Sequence, residues 1–153
     1  MGMIYSASFT DVAVTAAQDL FELTAPSDAV CIIHSCYIFQ NTDFGDSAAE
    51  GLTISITRYS TSGSAGGTVT ERPHEVGFPA AGAAVEINNT TQGGTPVIIM
   101  SDCFNVQAGW QYRPTPEERI VVSPSGIIAI ELPSAPTDSL TMSGTLTWEE
   151  IGG

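Results

Sequence analysis

Residues 109–150 read GWQYRPTPEERIVVSPSGIIAIELPSAPTDSLTMSGTLTWEE, and this stretch decides the fold. Pro114 and Pro116 fix φ and lack a backbone donor, so the chain around them must cross from one strand to another. A strand is predicted to begin at Glu118. The run Pro124-Ser125-Gly126 is typical of a tight turn, in which proline comes early and glycine tolerates positive φ.

Two further strands follow this turn. The first is predicted over Ile127–Leu132, and Pro133 ends it. The second has the clearest alternation in the chain, as expected for a strand of an antiparallel sheet with one face in water. The residues predicted to share its buried face are Leu140, Met142, Gly144, Leu146 and Trp148.

The preceding part of the chain shows the same strand-and-turn pattern. Strands are predicted over residues 4–12, 20–24, 29–41, 52–57, 84–88 and 97–100. Residues 29–41 are almost continuously apolar and predict a central strand covered on both faces. Residues 61–82 are rich in glycine and proline and predict a long loop, which in a compact domain is usually functional or mobile. About ten short strands without an amphipathic helix predict one all-β domain over residues 1–153, an antiparallel, jelly-roll-like β-sandwich.

The charge balance excludes some partners. The chain has 17 acidic residues and four basic ones, all arginine, with a net charge of −13. Binding a nucleic acid backbone requires clustered cations that displace counterions. We therefore expect neither nucleic acid nor an anionic membrane as a partner. No apolar run approaches the roughly 20 residues that span a bilayer, so the expectation is a soluble protein.

The cysteines and the start of the chain indicate a reducing compartment. Three cysteines are an odd number, and residues 1–6 have neither the positive charge nor the apolar run of a signal peptide. Cys31 and Cys36 are five residues apart, so a continuous strand would place them on opposite faces and prevent a local disulfide. We interpret these two cysteines and Cys103 as small, buried thiols.

Candidate catalytic and metal residues all have structural explanations. His34 lies within an apolar strand, where histidine is usually a hydrogen-bonded core residue, and His74 is predicted to be solvated. Asp43, Asp46 and Glu50 offer carboxylates in one loop, which Ca²⁺ would favour, but their spacing is not that of an EF-hand. The sequence therefore predicts no catalytic residues, no cofactor and no metal.

One group of residues is a candidate partner contact. Trp110 and Tyr112 alternate onto one face at a strand end, followed by Arg113. Such rings can anchor a partner or stack on a sugar, and they can equally fill the bottom of the sandwich. In so acidic a chain, Arg113 and Arg119 are expected to pair with nearby carboxylates.

The chain resembles a group of uncharacterised tailed-bacteriophage proteins in five segments: Trp110–Arg119, Val122–Gly126, Leu132–Pro133, Asp138–Leu146 and the opening Ile4–Ala7. These are associated with small jelly-roll virion proteins, in particular capsid decoration, or cement, proteins. The resemblance implies a non-enzymatic protein that binds the major capsid protein, as a homotrimer, on the outer surface of the virion head. It would be made in the host cytoplasm without a signal peptide.

Two alternatives remain from the sequence. One is a tail or fibre jelly roll that recognises a carbohydrate through Trp110 and Tyr112, or another virion protein. The other is a hydrolase whose acidic pair cannot be chosen from among 17 acids. An acidic, lysine-free surface suits a protein on the outside of a capsid, which faces solvent and not packaged DNA.

Overall fold

A computed structural model of the protein describes residues 2–42 and 50–152, and these form an all-β fold with a single 3₁₀ turn. The two sheets are antiparallel and pack face to face as one sandwich. The strands are β1 (Met3–Val14), β2 (Gln18–Thr24), β3 (Ala29–Gln40), β4 (Gly51–Tyr59), β5 (Gly67–Thr68), β6 (Arg72–Pro73), β7 (Ala84–Asn89), β8 (Pro96–Asn105), β9 (Trp110–Tyr112), β10 (Val121–Val122), β11 (Ile127–Leu132) and β12 (Leu140–Gly152).

The strand order confirms the predicted fold class. Sheet A has the order β10-β3-β12-β1-β6, with β9 also pairing with β3, and sheet B has the order β5-β7-β2-β11-β4-β8. Strands β1 to β4 therefore alternate between sheets A and B, β8 pairs with β4 within sheet B, and β11 and β12 again lie in opposite sheets. The sets β10-β3-β12-β1 and β2-β11-β4-β8 have the order of a jelly roll, to which short strands are added at the edges.

Strand β12 is the centre of sheet A, as its alternation predicts. It pairs with β1 on one side and β3 on the other, and every second residue from Leu140 to Glu150 is buried. Trp148 is fully buried and stacks on Tyr5 of β1. Across the core, Phe9 of sheet A contacts Phe21 of sheet B, with ring centroids 5.0 Å apart. The apolar face of β12 is thus the inner wall of the sandwich.

Two predictions about β3 are wrong, and a bulge explains the first of them. A bulge places His34 opposite no residue of β12, because Thr147 pairs with Ser35 and Trp148 pairs with Ile33. The extra residue reverses the alternation, so Cys31 and Cys36 both point into the core and are buried. The other face of β3 is only partly covered, and its apolar residues there are half-buried or exposed.

The strand predicted to begin at Glu118 starts later. Residues Pro116–Glu118 form a 3₁₀ turn, in which the Glu118 amide donates to the Thr115 carbonyl oxygen. Proline suits the first turn of a helix because its missing N–H has no partner there anyway. Only Val121–Val122 then pairs with β3. The following turn forms as predicted, but Ser125, and not the glycine, takes the positive φ of 58°.

The loop over residues 61–82 is attached to both sheets. Strand β5 pairs with β7 of sheet B, and β6 pairs with β1 of sheet A. The loop therefore wraps one side of the sandwich. Of the predicted loop that contains Asp43, Asp46 and Glu50, residues 43–49 lie outside the described residues.

Candidate partner-binding edge

Strand β8 is an uncovered edge of sheet B. It pairs with β4 on one side and, among the described residues, with no strand on the other. Three consecutive apolar side chains are exposed on it: Val97 is 57% exposed, Ile98 61% and Ile99 38%. Free N–H and C=O groups beside apolar side chains are the features to which another strand adds.

A bulge and the lack of charged residues explain the exposed apolar side chains of β8. The register with β4 shifts between Ile56 and Thr57, where Ile99 is the extra residue of a bulge. Met100 returns to the inner face and packs against the core, whereas Ile98 lies opposite Thr57 on the outer face. No charged residue occurs from Pro96 to Ser101, although charges are the usual protection of an edge.

The candidate aromatic residues lie directly across the sandwich, on β9. Trp110 is 4% exposed and Tyr112 is 8% exposed, and their rings stack with centroids 6.3 Å apart. The prediction that they share one face is confirmed. The Trp110 Nε1–H donates to Asp102 Oδ2 of β8 at 3.2 Å, which links the two sheets at this edge. Both rings therefore belong to the core, and neither is a free platform.

A surface pocket of about 440 Å³ lies between the two edges. Tyr112 and Arg113 line it from sheet A, and Ile99 and Asp102 line it from β8. Burial raises the pKa of Tyr112, whose hydroxyl donates to the Glu118 carbonyl oxygen. The pocket combines an apolar wall with charges of both signs, which suits a side chain of a partner.

The expected pairing of two arginines with carboxylates is wrong in the described part of the chain. The contact of this kind found there joins His34 to Glu149, and none includes an arginine. Instead, the Arg113 guanidinium lies over the Tyr37 ring, 5.8 Å from its centroid. Arg119 is half-buried, and its Nε has no hydrogen-bond partner. Arg113 is the exposed cation beside the pocket.

The histidines have structural environments. His34 Nε2 lies 3.0 Å from Glu149 Oε2, so the predicted hydrogen bond is present. Its ring is on the outer, half-buried face of sheet A, because the bulge turns it away from the core. The Glu149 carboxyl is partly desolvated, which raises its pKa, but the Gly2 amide and His34 outweigh this and lower it. His74 is exposed, as predicted.

The thiols divide into two groups. Burial raises the pKa of Cys31 to about 12 and also raises the pKa of Cys36. Cys103 is exposed, which contradicts the prediction of a buried thiol. It lies opposite Thr53 on the outer side of the edge strand β8, where little covers it.

The described ranges contain neither a metal-ligand cluster nor a membrane-spanning helix. These residues contain no group of three His, Cys, Asp or Glu side chains arranged to hold a metal ion. Of the proposed Ca²⁺ ligands, Asp43 and Asp46 lie outside the described residues, and Glu50 accepts a hydrogen bond from the Thr137 amide at 2.6 Å. No helix of the described chain is long and apolar enough to cross a bilayer.

Comparisons with protein-family models, with curated proteins and with solved structures found no match for this chain.

Sequence reasoning missed the exposed edge, although a signal was present. Four successive apolar residues from Val97 to Met100 predict a strand without alternation, which usually indicates burial on both faces. The sequence around these residues does not show whether another strand will pair with them and cover them. The position of β8 at the end of sheet B follows only from the order of all the strands.

Proposed function

We propose that this protein is a structural protein of a tailed-phage virion, which decorates the outer surface of the capsid and stabilises the head. The proposal combines the resemblance of five sequence segments to phage virion proteins with the exposed edge of β8. Its role is to bind and not to catalyse.

The single observation that carries the proposal is the exposed, apolar edge strand β8. Strand addition gives affinity through main-chain hydrogen bonds, and alternate side chains give specificity. The apolar row Val97, Ile98 and Ile99 supplies burial, and the neighbouring pocket at Arg113 can receive a side chain. Charges are a usual protection of a sheet edge, and residues 96–101 have none; the bulge at Ile99 leaves Ile98 exposed on the outer face.

The charge of the chain specifies the chemistry of the partner. Strand β8 has no cation, and the net charge of the whole chain, −13, repels acidic surfaces. The proposed partner, the major capsid protein, would present an extended apolar segment or strand edge with neutral or basic neighbours. Apolar contacts and main-chain hydrogen bonds would then dominate, and several copies around the shell would add avidity.

The carbohydrate-binding alternative is weaker than the sequence suggests. Sugar stacking needs an exposed aromatic face, but Trp110 and Tyr112 are buried against each other. A tail or fibre protein that recognises another virion protein through β8 remains the second candidate, because the edge favours any protein partner equally.

Heads that lack this protein test the proposal. They should assemble but rupture and release DNA at a lower temperature, and adding purified protein should restore the rupture temperature. If the depleted particles are equally heat-stable but fail to adsorb to cells, the protein acts in the tail or fibre and the capsid proposal is wrong.

The proposed assembly is a homotrimer, which follows from the resemblance. Sedimentation equilibrium at micromolar concentration should give three times the monomer mass. The trimer is wrong if the free protein is only a monomer and each binding site on the head also holds a single copy.

A further inference from the structure

Three buried carboxyl groups meet on the outer face of sheet B. Asp19 is 0% exposed, Glu22 1% and Glu131 3%. Asp19 and Glu22 lie on β2, and Glu131 lies on the adjacent strand β11, directly opposite Asp19. A carboxylate is costly to bury unless a cation or several hydrogen bonds compensate it. The cluster therefore requires an explanation.

Two loops cover this cluster, residues 60–66 and residues 90–95, which we call the flap. They bind each other through main-chain hydrogen bonds between Ser64 and Thr91, at 2.8 and 3.1 Å. The Gly94 amide also donates to the Thr61 carbonyl oxygen. Gly93 allows the close approach, since a Cβ there would lie 2.0 Å from that same carbonyl oxygen. The two loops are thus expected to move together.

The flap is held to the sheet through two of the three acids. The Glu22 carboxylate accepts hydrogen bonds from the Ser62 hydroxyl and from the Gly63 amide, the latter at 2.9 Å. The Glu131 carboxylate accepts from Gln92 Nε2 at 2.8 Å. The attachment therefore depends on the state of the carboxyl cluster beneath it.

Within the sheet, Glu131 has two more donors. The Thr57 and Tyr59 hydroxyls each donate to it at 2.5 Å. Three donors suit a carboxylate that carries its charge. Glu131 and Glu22 thus have the partners that an ionised group needs.

Asp19 has no such partners. Among the residues that the structure describes, no donor reaches either of its carboxyl oxygens, although the side chain is fully buried beside the other two acids. Its own proton can supply the missing hydrogen bond, by donation to Glu131 or Glu22. Burial, and then the charges of Glu131 and Glu22, raise the pKa of Asp19 to about 8. The lack of other donors and the raised pKa both favour Asp19 as the group that holds a proton in the cluster.

The surroundings provide no positive charge. The neighbouring strand β7 adds Glu86, which lies opposite Glu22 and accepts from Asn89. Strand β4 adds Tyr59, whose pKa is raised by burial and by Glu131. The part of the flap that contacts the acids is neutral, and in the described chain no arginine or histidine pairs with any of them. Loss of the proton from Asp19 would leave three buried negative charges together.

We propose that the flap is a proton-controlled latch, which stays closed over sheet B while Asp19 shares its proton with Glu22 and Glu131 and opens more readily once that proton is lost. The closed state binds one proton that the open state releases. Opening should therefore become up to about tenfold more favourable for each pH unit between about 4 and 8, and level off above 8. The latch is independent of the proposed function.

Amide exchange at Gly63 tests the latch, because this N–H donates to Glu22 only when the flap is closed. In the wild-type protein, its protection factor, corrected for the intrinsic rate, should fall by up to about tenfold per pH unit from pH 5 to 8. In Asp19→Asn, which donates a hydrogen bond without titrating, the protection factor should not change with pH. The control Asp28→Asn removes one exposed charge and should behave like the wild type.

Three results would overturn the proposal. The first is an equally steep change in Asp19→Asn. The second is a carboxyl carbon-13 resonance of Asp19 in the wild type that titrates near pH 4. The third is recovery of Gly63 protection at pH 8 on adding CaCl₂ to the wild type but not to Asp19→Asn, since a cation and not a proton would then neutralise the cluster.

A variant that detaches the flap gives an independent check. Gly93→Ala forces a methyl group against the Thr61 carbonyl oxygen. It should lower Gly63 protection at every pH and move the titration of Asp19 towards the ordinary range, because water reaches the cluster. An unchanged Asp19 titration in a variant with low Gly63 protection would show that the flap does not control the proton.

Discussion

Replacement of Ile98 by lysine should separate binding from stability. Ile98 is 61% exposed on the outer face of β8, so the lysine side chain can extend into solvent in the free protein. Exposed substitutions of this kind usually change stability little, and the lower strand propensity of lysine sets a limit of about 1 kcal/mol. Bound against a partner strand, the same position would have to bury a charge.

The exposed fraction of Ile98 sets the size of the effect on binding. Complete burial of an isoleucine side chain is worth about 1.5–3 kcal/mol, and about three-fifths of this remains available, or roughly 1–2 kcal/mol. Loss of that contact alone should weaken each binding site about 5- to 30-fold. Desolvation of the lysine and multivalent attachment would both increase the loss.

Co-sedimentation with heads that lack the protein measures this effect. The matched control is Val76→Lys, which makes the same change of charge at a fully exposed apolar residue in a loop. Ile98→Lys should bind at least about fivefold more weakly than the wild type, while Val76→Lys should bind normally. Equal binding of all three proteins, with unchanged melting temperatures, would refute the use of β8 as the binding edge.

Three other predictions test the fold and the carboxyl cluster. A thiol reagent should label Cys103 rapidly in the native protein and Cys31 and Cys36 only after unfolding; fast labelling of all three would contradict the packing of β3. Gly144→Ala should lower stability by about 1–3 kcal/mol and the melting temperature by about 3–10 °C, because its Cβ would lie within about 3 Å of atoms of three core side chains; a variant of wild-type stability would contradict the close approach of the sheets. Stability should fall by up to about 1.4 kcal/mol per pH unit between pH 4 and 8, because folded Asp19 keeps a proton that the unfolded chain releases; thermal unfolding of Asp19→Asn should lack this slope.

Sequence patterns predicted the interior of the sandwich well. The alternation along residues 140–149 and the proline and glycine punctuation around residues 124–133 are local signals, and both strands form there. Local signals do not reveal bulges, however. Strict alternation would place Cys31 and Cys36 on opposite faces of β3. The one extra residue at His34 places them on the same face, because alternation continues only while each residue has a partner.

The candidate site was less predictable than the fold. Trp110 and Tyr112 were correctly placed on one face, but the choice between core and surface depended on the strand opposite them. That strand is β8, whose Asp102 accepts a hydrogen bond from the Trp110 indole N–H. The carboxyl cluster was missed because Asp19 and Glu131 are 112 positions apart and meet only through the pairing of β2 with β11.

Hydrogen exchange of β8 on heads tests the central claim most directly. If the protein adds β8 to a strand of the capsid, a peptide covering residues 96–105 should exchange more slowly on heads than in the free protein, while the exposed loop around Val76 should not change. Equal exchange of residues 96–105 in the free protein and on fully occupied heads would contradict the account.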